Sequence, residues 1–294
     1  MQFFSEAIGV GQFQLVINAL TLASIYIMIS AGLTIIYGVL KILHVAHGAV
    51  YVFGAYYVIV IFGFVNNVAL SILLSSLLAG VVGVLIFLLV YKRLLSAPRL
   101  IPLVASIGVY YFAYDAFRLR FGGYAVGFPS PVSAQSIIPY FHLSAFQLSI
   151  MLVTAVSMIG TWVLLTRTKL GLSLRAVAMD MDMASALGIN SGRIIILAFF
   201  LGSFLAGLAG SMVSVYYNNS YYTLGDTAIA VGLAVIVLGG LGSVSGAIIA
   251  AIIIAVVQTI LEAFAPTFIP PFTVAFLILI AILIFRPKGL GGKI

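Results

Sequence analysis

The sequence predicts an all-α, polytopic transmembrane helical bundle of about eight or nine membrane segments, with glycine-broken helices in two matching places. Three observations carry that expectation. The 294 residues are 64% hydrophobic and 6% charged, and the mean hydropathy is +1.31, outside the range of soluble domains. Apolar runs recur that are long enough to cross a hydrocarbon core of roughly 30 Å. These runs are continuously apolar rather than alternating. A chain in lipid must satisfy its backbone groups internally, so helices are expected rather than a closed barrel.

The segments read, in order, at 13–38, 48–65, 68–90, 100–117, 147–166, 194–216, 228–240, 244–263 and 272–285. Ahead of the first, MQFFSEAIGVGQFQ has neither a basic region nor a small-residue cleavage site, so no removed signal peptide is expected. The basic loop YKRLLSAPR, the stretch 167–193 and the tail FRPKGLGGKI belong on one side. Placing them in the cytoplasm puts eleven Lys/Arg inside and two, Arg118 and Arg120, outside. Basic residues collect in cytoplasmic loops, so the N-terminus lies outside and the C-terminus inside. The same parity requires 228–263 to be two limbs meeting at GGLGSVSG, the first of them short. The net charge of +7 then reflects loop placement in a cell inner membrane, with lipid as partner and no nucleic acid.

Several chemistries are excluded. The chain has no cysteine, hence no disulfide, thiolate metal site or Cys nucleophile. No GxxxxGK[ST], HExxH or GxSxG occurs. His44, His47 and His142 form no cluster with carboxylates, and a plain pair of interfacial histidines is the simpler reading of His44 and His47. No metal site, cofactor or enzymatic activity is expected. Asp115, Asp226 and Glu262 sit near outer segment ends, so no buried carboxylate relay of a proton-driven carrier is visible. A sodium-coupled carrier using backbone carbonyls stays open, as does an autonomous channel for urea or another small neutral solute.

One stretch stands apart, LRAVAMDMDMASALGINSGR at 174–193. It holds Asp180 and Asp182 between Arg175 and Arg193. Leu174, Val177, Ala178, Met181, Ala184 and Leu187 follow helical spacing. Ser173 is the expected start cap, and Gly188 the left-handed stop. The helix would rise only about 21 Å. Pattern alone supports equally an interfacial helix and a docking helix for a cytoplasmic partner, with the two aspartates reaching out.

Two glycine-marked regions match. GLTIIYGVLKILHVAHGAVYVFGAYY (32–57) and GLAVIVLGGLGSVSGAIIAAII (232–253) both open with Gly-Leu, break, and resume as Gly48-Ala49-Val50 and Gly246-Ala247-Ile248. Paired interruptions point to a translocation path, with His44, His47, Gly48, Gly239, Gly240, Gly242 and Ser243 as candidates. Ridges of small residues run along 202/206/210, 203/207/211 and 75/79/83, which suit close helix packing within the chain.

The first glycine region resembles the GLTxxYGxxxxxNFAHG…GAY block of branched-chain amino-acid ABC importer permeases of the LivH/LivM family. RAVAMDMDMASALGINSGRIIILAFFLGSFLAGLAG resembles the RAxAxDxxxAxLxGIN…R…F…G…AGxAG block of that family, VLGGLGSVSGA its VLGGxGSxxGA block, and RPKGLGG its tail. The resemblance implies a single permease domain over 1–294. It further implies pairing with a second, related permease that is a different chain rather than an identical copy, two cytoplasmic ATPase subunits that drive the pair, and an extracytoplasmic substrate-binding protein that feeds it. It also implies that the loop 170–192 is the coupling segment, with Arg175, Asp180, Asp182, Ala184, Gly188, Ile189 and Asn190 at the ATPase. His44 stands where the family has Asn, Val45 where it has Phe, Ala49 where it often has an acid, and Ser245 where it commonly has Pro. These departures bear on the substrate, which the resemblance gives as a branched-chain or related amino acid.

Overall fold

A computed structural model describes residues 2–129, 136–138, 143–264 and 271–285. Among them the chain forms eleven α-helices: α1 (Gln2–Leu40), α2 (His47–Val65), α3 (Val68–Leu89), α4 (Leu100–Phe121), α5 (Ala145–Arg167), α6 (Lys169–Met179), α7 (Met181–Ala186), α8 (Ser191–Tyr216), α9 (Leu224–Gly239), α10 (Val244–Phe264) and α11 (Pro271–Phe285). Each of the nine segments read from hydropathy coincides with one of them. Among the described residues, seven of these helices are long and apolar enough to cross a membrane. The 16 residues of α9 and the 15 of α11 are shorter. His142, the tail and parts of the outer loops lie outside the described residues.

The centre of the bundle is α8, buried against α1, α2 and α3. Lipid offers no hydrophobic drive for helix association, so close backbone packing of small residues must supply it. The predicted ridges do this within the chain. A Cβ on Gly202 would stand 2.6 Å from the Gly32 carbonyl oxygen of α1. Gly210 meets the Tyr51 carbonyl of α2, Gly207 meets Ala79 of α3, and Gly83 of α3 meets Ser203. α4 and α5 lie outside this core and leave most of their apolar surface uncovered.

Two short pairings lie in the connections assigned outside. β1 (Val126–Gly127) pairs antiparallel with β4 (Asn219–Ser220), and β2 (Ser136–Ile138) with β3 (Leu143–Ser144). The first ties the connection after α4 to the one after α8, as the predicted parity requires. On the opposite side, Tyr91, Leu174, Val177, Ala184 and Ile194 share one buried cluster. Residues assigned to the cytoplasm thus pack together.

Depth is uneven across the bundle. α2 does not begin at the end of α1. The chain from Lys41 to Ala46 runs back along α1, and His47 Nε2 lies 3.2 Å from the Ile29 carbonyl oxygen, about three turns above Leu40. Gly48 in turn meets Gly225 and Ile229 of α9. α9 therefore also starts midway through the bundle and runs to the cytoplasmic end. There the turn after it brings Gly242 against Gly38 of α1.

Candidate functional site

The cytoplasmic segment is two helices rather than the single rod expected over 174–187. Asp180 takes an extended backbone (φ −153°, ψ 110°) and separates α6 from α7. The reason is local: an aspartate carboxylate accepting a backbone N–H competes with helix continuation. Asp180 Oδ1 accepts from the Met183 N–H at 2.9 Å and caps α7. The start cap is Thr168, accepting from the Gly171 N–H at 3.1 Å, not Ser173. Asn190 caps α8 by accepting from the Arg193 N–H at 3.1 Å. Gly188 has φ +86° and stops α7 in the left-handed region, as predicted.

Of the stripe, Leu174, Val177 and Ala184 are buried, while Leu187 is 76% exposed. Leu187, like Met179 and Met183, is an exposed apolar side chain, and Arg175 and Asp182 in the same segment are exposed too. Ile189 donates its N–H to the Ala184 carbonyl at 3.0 Å. Asp180 and Asn190 therefore shape this segment, and Arg175, Asp182 and the three apolar side chains present its surface.

The candidate path residues fall in two places. His44 and His47 are buried with ring centroids 5.8 Å apart. The His44 Nδ1 pairs with the Tyr91 hydroxyl at 2.7 Å, and the Ala46 N–H donates to Ser106 Oγ at 2.9 Å. At the other place Gly239 lies backbone to backbone against Gly246, and Gly240 and Gly242 have φ +92° and +88°. Ser243 Oγ accepts from the Gly246 N–H at 3.1 Å and caps α10.

None of these seven residues lines the open space of the outer half. That space is two adjoining cavities of about 330 and about 260 Å³ that share Leu22, Ile25, Tyr217 and Glu262. They run from Leu15 and Asn18 near the outer end down to Ile29, Thr227 and Ala228 at the start of α9. A chain of hydrogen bonds crosses the wall. The Tyr26 hydroxyl donates to Gln258 Oε1 at 2.6 Å, and Gln258 Nε2 donates to Glu262 Oε1 at 2.7 Å. Tyr217 lies just past α8. The protein crowded around its hydroxyl, then Tyr216, Glu262 and Tyr221, pushes that phenol up to about 12, although its ring is half exposed. It remains protonated at neutral pH.

A family model described as "Branched-chain amino acid transport system / permease component" matches residues 15–285. The chain belongs to this family. Among curated relatives, the high-affinity branched-chain amino acid transport system permease protein LivH of Escherichia coli is 29% identical over 80% of this chain and 81% of that protein. BraD of Pseudomonas aeruginosa, described in the same words, is 31% identical with the same coverage. A solved structure described as PsaBC from Streptococcus pneumoniae in complex with Fab superposes with a TM-score of 0.51, covering 96% of this chain and 94% of that one. At 11% identity it speaks to the fold alone.

The permease is therefore a multi-pass membrane transport component of an ATP-binding-cassette importer and not an enzyme. Sequence reasoning missed its outer cavity. Tyr26, Tyr217, Gln258 and Glu262 are spread over 236 positions, and each, alone, looks like an ordinary residue near a membrane interface. The sequence signal was the spacing of Gln258 and Glu262, four apart on one face of α10.

Proposed function

We propose that this permease is one half of the pore of an importer for branched-chain or related aliphatic amino acids in the cytoplasmic membrane. A second, related permease forms the other half. Two cytoplasmic ATPases dock on α6 and α7, and an extracytoplasmic binding protein delivers the solute to the outer connections around 118–146 and 217–227. ATP-driven closure of the ATPases pushes the α6–α7 pair. That pair packs on α8 through Leu174, Val177, Ala184 and Ile194, so the push is passed to the central helix. The junctions at Ala46–Gly48 and Gly239–Ser243 flex in response.

The observation that carries this reading is the cytoplasmic surface of α6 and α7. Met179, Met183 and Leu187 are 82%, 60% and 76% exposed on a segment too polar to cross the bilayer. Large apolar side chains left exposed among charged ones outside the bilayer suit a protein contact.

The test is to reverse Arg175 to Glu or Asp182 to Lys, or to place Asp at Met183, in cells carrying the whole assembly. Each variant should insert at the wild-type level, since none of the three side chains is buried. ATPase recovered on affinity purification should fall about tenfold, the scale of one contact worth about 1.4 kcal/mol, and uptake should fall with it. Wild-type recovery of the ATPases together with normal uptake overturns the docking assignment.

A further inference from the structure

We infer that the outer cavity is a binding site for the ammonium group of an aliphatic amino acid, with Glu262 as its anion and Leu22 and Ile25 as the wall for the side chain. This rests on the reading of the permease as an amino-acid importer.

A charged side chain within a membrane-spanning helix is kept for a purpose, and Glu262 stands two residues inside the outer end of α10. It lines the cavity as an exposed carboxylate and forms no ion pair among the described residues. Its Oε1 accepts from Gln258, while Oε2 has no protein donor among the described residues. The supporting chain is built from buried groups. Gln258 is 3% and Tyr26 is 6% exposed. The Gln258 amide can be turned only one way, because its NH₂ must face the carboxylate and its oxygen must face the tyrosine hydroxyl. The carboxylate is thus held in place by a network that reaches from α10 to α1.

The remaining lining suits the rest of such a solute. Asn18, Thr21 and Thr259 supply short polar groups, and Tyr217 offers a half-exposed ring beside Glu262. A cation between a carboxylate and an aromatic face is favoured by both. Leu22 and Ile25 lie one turn apart on α1 and border both cavities, giving a branched apolar side chain a matching surface. A cavity of about 330 Å³ is at the small end of ligand-site volumes. Only partial desolvation of the ammonium is needed here, so binding is weak enough for release toward the floor at Thr227.

The permease has no cysteine, so a single Ala263→Cys, on the cavity lining, reports occupancy by its rate of reaction with a small thiol reagent in the complete assembly. Leucine should slow that reaction, whereas 4-methylpentanoate, which has the same branched chain without the amine, should not. Adding Glu262→Gln should abolish the protection. In transport, Glu262→Gln should lower leucine uptake about tenfold and Glu262→Asp should restore part of it, a pattern that loss of packing would not produce. Protection by both compounds alike, by sodium or ammonium chloride alone, by none of them, or undiminished in Glu262→Gln, overturns the site. If leucine protects but the wild-type assembly accumulates no aliphatic amino acid, the site stands and the transport reading fails.

Discussion

The two glycine-marked junctions follow one sequence pattern and are built differently. Between α1 and α2 the chain takes six non-helical residues, Lys41 to Ala46, and is fastened by side chains: His44 to Tyr91, Ser106 to the Ala46 N–H, His47 to the Ile29 carbonyl. Between α9 and α10 the chain turns in four residues, Gly240 to Ser243. It is fastened by backbone, with Gly239 and Gly246 in direct contact. A side-chain fastening costs about one hydrogen bond to undo, while a backbone contact has no flexible atom that can give way. The first junction is therefore the softer of the two.

The largest effect that would test this contrast comes from the stiff side. Gly246→Val puts a branched side chain against the Gly239 carbonyl, where neither helix can yield. Loss should exceed about 3 kcal/mol, at the upper end for overpacking, and be read as failure to survive detergent extraction as a monodisperse peak. Next, Ser106→Ala leaves the buried Ala46 N–H unpaired and should cost about 1–3 kcal/mol, read as a lower midpoint in a thermal survival assay. Equal losses for the two variants would erase the contrast. The smallest effect belongs to Ser245→Pro. Ser245 lies in the first turn of α10, where an N–H has no intrahelical partner and proline is tolerated. The change should stay within about 0.5 kcal/mol of zero. A large loss there would mean that the turn needs the serine itself.

Much of this architecture was legible in the residues. Long apolar runs set the nine segments, the distribution of Lys and Arg set their direction, and Gly188 marked a helix end that only a residue free to adopt positive φ closes cheaply. The ridges on α8 were legible because small residues four apart have one obvious use in lipid. What was hidden depends on partners distant in sequence or on competition at one residue. Asp180 reads as a surface charge until its carboxylate is seen capping α7. His47 reads as interfacial until the chain before it is seen doubling back along α1. Glu262 reads as an end-of-helix acid until Tyr26, Gln258 and Tyr217 surround it.

The depth at which α9 begins has an electrical consequence. The outer cavity reaches down to Thr227 and Ala228, and where water and ions fill it, the remaining insulating layer is no thicker than the 16-residue α9, about 24 Å. The transmembrane voltage is then concentrated across the inner part of the protein. A charge would travel from the outer solution to the cavity floor almost free of it, and meet nearly the whole field in the last stretch.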